Sequence, residues 1–389
     1  MSYKPHFSRF LGADPSRLHF AAHSHHFWPD VTLEAQRQCW LDAARLADRK
    51  WDKVFAEVIP AAQGHVARAL NLADPASVAF GPNTHMFVMR LLSCLPADRP
   101  VRVLTTDSEF HSANRQLRRL EEEALARVTR VASEPFESFS RRFGEAAAGG
   151  GYDMVLFSQV FFDSGYAVPD LAAIVARVPE PETFIVIDGY HGFLTLPTDL
   201  STIERRAFYL AGGYKYAMAG EGAAFLHAPP GYGPRPRDTG WFAAFEALQG
   251  GAGAATSFGD DGSRFLGATF DPVGLYRLNA VMDWLQRLGL TVARIHAHAH
   301  ALQQRFVDRL AALRLETLHP GQLVVPLEQP SRGHFLTFRT PAAGAIYDRL
   351  LAANVVTDHR GDRLRLGFGL YHDDDDIERL CHTLRSTLT

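Results

Sequence analysis

One lysine, Lys215, stands between two tyrosines in the stretch LAGGYKYAMAGEG, residues 210–222, with Gly212 and Gly213 before it and Gly220 and Gly222 after it. Upstream, the apolar run FIVID ends on Asp188, and His191 follows within DGYHG. A glycine-hemmed lysine can bind phosphate, act as a covalent nucleophile, or simply occupy a turn. An acid and an amine at two strand ends can likewise form an ordinary ion pair. A sharper chemistry is also open to them. A lysine amine condenses with an aldehyde cofactor, while a carboxylate keeps a pyridine nitrogen protonated. The protonated ring then draws electrons from the carbon beside the substrate nitrogen.

These residues need a frame that brings them together. The runs SVAFGPN, VRVLTTDSEF, YDMVLFSQVFF, ETFIVIDGY and RAFYLAGGY each read as a short buried strand. Stretches such as THMFVMRLLSCL and HSANRQLRRLEEEALARV between them carry helical periodicity. Such alternation predicts an α/β fold with a largely parallel sheet. Ligands bind outside the carboxyl ends of strands in such sheets. Here those ends carry Asn83–Thr84, Glu109–Phe110, Ser158–Gln159, Asp188 and Tyr214–Lys215. Asn83 and Thr84, opening a helix, would bind a phosphate through backbone N–H groups and a hydroxyl. Phe110 offers a flat face for a ring. The set is what pyridoxal 5'-phosphate requires.

Ahead of this block, TLEAQRQCWLDAARLADRKWDKVF reads as one long amphipathic helix. Behind it, a glycine-rich stretch at 249–262 reads as a flexible loop. From about Pro272 the texture becomes long helices with a few strands. We expect an N-terminal segment at 1–50 packing on the small domain, a large cofactor-binding domain at 51–271, and a small α+β domain at 272–389. Composition narrows the function. With 47% hydrophobic and 21% charged residues in 389, the chain is of ordinary globular type, and a net charge of −3 speaks against a nucleic-acid partner. No apolar run is long enough for a membrane span. Three cysteines, Cys39, Cys94 and Cys381, are far apart without CxxC spacing, which fits a reducing cytoplasm and not a disulfide framework.

The motifs together resemble the fold-type I pyridoxal phosphate enzymes of the class V aminotransferase group, and within them the kynureninases. DGYHG resembles the family's D-x-x-H, and YKY its lysine motif; TGW at 239–241 and SRFLGAT at 263–269 resemble further family segments, as does DHRGDRLRLGFGLYHDDDDI near the C-terminus. The resemblance implies a mixed, mostly parallel seven-stranded sheet. It implies that Lys215 holds the cofactor and moves protons, and that Asp188 pairs with the pyridine nitrogen with support from His191. Thr84, Tyr214 and Thr269 would bind phosphate, Thr269 from the neighbouring subunit, so the expected active form is a homodimer with shared sites. Tyr214 would also relay a proton during bond cleavage, and Trp241 and Arg365 would face the substrate. The implied partner is a small amino acid. The implied reaction is hydrolytic Cβ–Cγ cleavage of a 3-acyl alanine; a class V aminotransferase, a β-lyase and a non-catalytic binding protein are the alternatives.

Two segments differ from the family pattern. HSHHFWP replaces the kynureninases' Asn-Ser-Leu-Gly, and in SQVF the residues Gln159 and Phe161 replace a histidine and an asparagine. Ser24 and His25 of HSHH are read as substrate-side groups at the pocket mouth. No metal is expected: HSHH lacks a cysteine or a helical histidine pair. In HAHAH, His296 and His300 share one helix face, read as solvated or half-buried. The acidic run at 373–376 reads as a helix N-terminus. Cys381 in the last helix is remote from any active-site loop, which weakens a cysteine desulfurase reading.

Overall fold

The computed structural model describes residues 2–244, 256–328 and 332–388. The part of the expected 249–262 loop at 249–255 lies outside the described residues. In chain order the strands are β1 (Leu18–His19), β2 (Val78–Gly81), β3 (Val101–Thr106), β4 (Ala126–Val131), β5 (Met154–Ser158), β6 (Phe184–Asp188), β7 (Ala207–Ala211), β8 (Ala224–His227), β9 (Phe335–Arg339), β10 (Val355–Val356), β11 (Asp358–Arg360) and β12 (Arg363–Gly367). The helices are α1 (Ser8–Ala13), α2 (Val31–Leu46), α3 (Lys50–Lys53), α4 (Ile59–Leu70), α5 (Thr84–Cys94), α6 (His111–Glu122), α7 (Phe136–Ala148), α8 (Leu171–Val175), α9 (Val273–Arg287), α10 (Val292–Leu313), α11 (Ala343–Ala352) and α12 (Asp374–Leu388).

Seven strands form the main sheet in the order β2-β8-β7-β6-β5-β3-β4. Its pairings from β7 to β4 are parallel, while β8 runs antiparallel to both β7 and β2. The reason lies in the runs themselves. Strands β5 and β7 are buried at every residue, so both sheet faces must be covered. Along β6 the side chains alternate: Ile185 and Ile187 enter one apolar core, Phe184 and Val186 the other. A third core collects Leu18, Phe20, the inner face of α10, and residues of β9, β12, α11 and α12. Strand β1 pairs parallel with β10, which ties residues 18–19 to this smaller unit.

Some expectations are corrected. The helix read as continuous from residue 32 is broken: Ala47 adopts φ 50°, ψ −125°, and a π-turn at Val54–Val58 follows α3. Residues 126–128, read as the end of a helix, instead open edge strand β4, where Arg127 and Thr129 alternate outward. Strand β8 went unrecognised, since AAFLH is too short to announce a period. Helix α9 packs its Leu275, Leu278, Val281 and Trp284 into the large sheet's core. We propose that the large and small units divide around this helix, with the expected boundary before it. The acidic run does open a helix: Asp374, Asp375 and Asp376 fill the first turn of α12, and the Asp373 N–H donates to Asp376 Oδ2.

Candidate active site

The parallel strands deliver their ends to one place. Ser158 and Asp188 are register partners on β5 and β6, and Asp188 pairs with Leu210 of β7, five residues before Lys215. The chain then turns sharply to present the lysine. A Cβ at Gly212 would stand 2.3 Å from the Tyr190 hydroxyl oxygen, and Gly220 has φ +69° with Trp28 packed against it. Only glycine meets both demands.

Lys215 is buried, and its Nζ stands 2.7 Å from His191 Nε2. The rings of Tyr190, Phe110 and Tyr214 surround the amine at 4.8, 5.2 and 5.8 Å. Burial, only partly opposed by Asp188, lowers its pKa to about 7. Burial raises the carboxyl of Asp188, whose Oδ1 accepts the Tyr190 N–H at 2.9 Å. His191 is held neutral by burial, and its Nδ1 is buried with no hydrogen-bond partner. Its hydrogen bond runs to the lysine, whereas support of Asp188 was the expected role.

Behind this layer lies Glu109, which accepts from Thr106 Oγ1, Ser158 N and Ser158 Oγ and so knits β3 to β5. Burial pushes its pKa up to about 7. Helix α5 points its first turn to the same end of the sheet: Asn83 caps it by accepting the Met86 N–H at 3.0 Å, and Thr84 is its first residue. The first-turn N–H groups of a helix lack intrahelical acceptors, which suits an anion.

The small unit closes the site with Arg365. Its guanidinium is buried, donates to Asp358 Oδ2 and to the Phe162 carbonyl, and keeps a buried Nε–H without a partner. His23 Nε2 lies 3.7 Å from the same Asp358 oxygen, and its ring stacks on Phe335. His25 is exposed, stacks on Tyr214 at 5.0 Å and contacts Ser24 Oγ at 3.3 Å. His26 bonds the backbone at Leu370 and Phe27. The histidine segment thus has three destinations, two of them at the site. Trp241 and Thr269 are exposed and bonded to each other, Nε1 to Oγ1 at 3.1 Å. No described contact joins that pair to Lys215. Of the replaced residues, Phe161 is in the core beside Phe139 and Tyr166, and Gln159 bonds Tyr209 and Thr198. Sequence reasoning passed over Tyr190, Phe162 and Asp358, which the fold brings against the lysine or the arginine, and named His23 only as part of HSHH without its partner Asp358.

The residues fit a pyridine aldehyde phosphate. A low-pKa amine is ready to condense with the aldehyde. Among the described residues the half-buried Asp188 carboxyl has no cation in contact, the buried His191 Nδ1 has no partner, and the first turn of α5 offers N–H groups suited to an anion. This is the fold-type I architecture of pyridoxal phosphate enzymes. The class-V aminotransferase family model matches residues 43–339, and the chain belongs to that family. A second model, the kynureninase C-terminal domain, matches residues 295–384. Kynureninase of Deinococcus radiodurans is 25% identical over 310 residues, 78% of this chain and 72% of that protein. Among solved structures, a C-DES mutant with glycine covalently linked to its PLP cofactor superposes with TM-score 0.80 at 18% identity, over 100% of both chains. The cystine C-S lyase C-DES with its product cysteine persulfide gives 0.78 at 18% identity, over 98% of this chain and 100% of that one. The cysteine desulfurase CsdA of Escherichia coli gives 0.77 at 15% identity, over 98% of each chain. The protein is a pyridoxal phosphate-dependent enzyme of the class V aminotransferase family, similar in its C-terminal part to the kynureninases. Among the described residues no helix is long and apolar enough to cross a membrane.

Proposed function

We propose that the enzyme cleaves the Cβ–Cγ bond of a 3-acyl alanine, kynurenine or a relative, by hydrolysis. The observation that carries this reading is Arg365: it stands buried within the stretch matched by the kynureninase C-terminal domain, with an unpartnered Nε–H left for a substrate carboxylate. Pyridoxal phosphate, once bound, supplies an electron sink for the substrate α-carbon. Lys215, with its pKa near 7, takes the α-proton as a neutral amine and returns it as an acid. Asp188 holds the ring-nitrogen proton. Tyr214, beside the lysine, hands a proton to the β-carbon as the bond breaks. Water adds to the γ-carbonyl, the acyl group leaves as a carboxylic acid, and the amino acid leaves as alanine. Phe110, Phe162 and Tyr190 keep bulk water from the lysine. The His23–His26 segment shapes the mouth, with Ser24 and His25 toward the substrate.

We further propose a homodimer in which the exposed Trp241–Thr269 pair serves the partner's phosphate and substrate. The three free thiols are consistent with the reducing cytoplasm as its compartment.

The second reading is C–S lysis, favoured by the likeness to the cystine C-S lyase. A persulfide relay has less support: Cys39, Cys94 and Cys381 are on α2, α5 and α12, and burial pushes Cys94 up to about 12 and Cys381 up to about 11. Product analysis separates the readings. Kynurenine should give anthranilate and alanine in equal amounts without a keto acid. Pyruvate from cystine, with kynurenine untouched, supports the lyase instead.

A further inference from the structure

Three imidazoles converge where α10 meets the start of β9, apart from the groups that touch the lysine. His296 and His300 are one helical turn apart on α10, with ring centroids 3.9 Å from each other. His334, placed just before β9, brings its Nε2 to 3.3 Å from His296 Nδ1. One ring nitrogen from each of the three lies within 4.8 Å of the other two. Two nitrogens on one tetrahedral zinc, each ~2.0–2.1 Å from the ion, stand about 3.4 Å apart. The separation of His296 and His334 therefore already matches that demand.

We propose that His296, His300 and His334 form a binding site for a divalent transition-metal ion of the imidazole-preferring kind, zinc foremost. The surroundings supply what such a site needs. His300 Nε2 faces the Arg332 carbonyl at 3.3 Å and so carries the proton, which leaves Nδ1 as its lone-pair nitrogen. His296 Nδ1 lies 2.9 Å from the Thr195 carbonyl and donates to it in the metal-free protein, a hydrogen bond that ligation through the same nitrogen gives up. Coordination through that Nδ1 moves its proton to Nε2, with no net change in charge on the ring. His334 is buried while the other two are half-buried, so the group is anchored on one side and open on the other for entry and a water ligand.

The position gives the ion a role. Thr195 closes the turn that carries His191, and its hydroxyl donates to the His191 carbonyl. The His334 ring packs edge-on against Tyr216, the residue after Lys215, whose hydroxyl is buried without a partner. A cation here would clamp α10 and β9 of the small unit to the turn and loop that present the catalytic groups. It would be a structural staple beside the cofactor, not a participant in the proposed cleavage.

The test uses tag-free, chelator-treated holoenzyme titrated with zinc alone by calorimetry, and with cobalt alone by visible absorption. One zinc per chain is expected, with the intense visible bands of tetrahedral cobalt and a zinc-dependent rise in melting temperature. His300→Ala and His334→Gln should each weaken zinc by at least ~10-fold, while His382→Ala, at an exposed histidine elsewhere, should bind as the wild type does. The cofactor's visible band reports that each variant is folded. No saturable zinc binding by the wild-type protein overturns the proposal, as does equal binding by the wild type and His300→Ala. Because zinc occupancy is read without turnover, failure here leaves the hydrolytic reading intact, and failure of that reading leaves the metal site intact.

Discussion

Lys215 Nζ and His191 Nε2 are 2.7 Å apart in a pocket that keeps both side chains buried. Neither has a charge to spare: burial drives the lysine down to about 7 and the imidazole well below its ordinary value. The lysine amine is therefore a nucleophile at neutral pH, where a solvated lysine would be almost wholly protonated.

Uptake of pyridoxal phosphate by the apo-protein should follow that amine. Below the shifted pKa of about 7 the rate should rise ~10-fold per pH unit, and above it should level off. Stopped-flow absorbance at several pH values checks this; a profile still climbing at pH near the free-lysine value of 10.5 contradicts the shift. The sign for stability follows. Between about 7 and 10.5 the unfolded chain binds more protons at this group than the folded one, so apo-protein stability from this group rises with pH across that window.

Asp188→Asn should keep the cofactor while removing the charge that holds the ring-nitrogen proton. Turnover should fall on the order of 10²-fold or more, with the visible band shifted but present. Wild-type turnover in this variant would show that the acid has another purpose.

Arg365→Lys should raise KM by about 10-fold or more with a smaller effect on kcat, since one ammonium cannot keep the bonds to Asp358 and Phe162 and also replace the Nε–H left for the carboxylate. Asp358→Asn should act in the same direction, because Asp358 fixes one side of the guanidinium. An unchanged KM in both variants would assign the substrate carboxylate to another residue.

Ala47→Gly should stabilise the fold by about 0.5–1 kcal/mol, because φ 50° with ψ −125° is a region that glycine enters without a Cβ clash. Chemical denaturation of the two proteins measures it. A destabilised variant would mean that the helix entropy lost at glycine outweighs the relief.

These cases also mark where the sequence spoke and where it was silent. The strand ends carrying Asp188 and Lys215 were legible because fully buried parallel strands are continuous apolar runs, and the groups after them stand out. The break at Ala47 was not, since an alanine gives no local hint of a positive φ, and there its N–H closes α2 on the Ala43 carbonyl. Asp358 was within reach of a closer reading. In HRGDRLR a two-residue turn at Gly361–Asp362 pairs Arg360 with Arg363 and hence Asp358 with Arg365, which is the observed register. His334 was out of reach: it is 38 residues from His296, and only the fold of the small unit brings their rings together. The exposed Trp241–Thr269 pair was named from family likeness alone, and its place in one chain leaves its purpose to the proposed dimer.

The central claim is hydrolysis at the γ-carbonyl, and one measurement reaches it directly. Kynurenine is turned over in water labelled with heavy oxygen, with Lys215→Ala as the blank, and both products are analysed by mass spectrometry. The account predicts alanine and anthranilate in equal amounts, one heavy oxygen in the anthranilate carboxylate, and no products from the blank. A keto-acid requirement, or cleavage without heavy oxygen in the released acid, would contradict it.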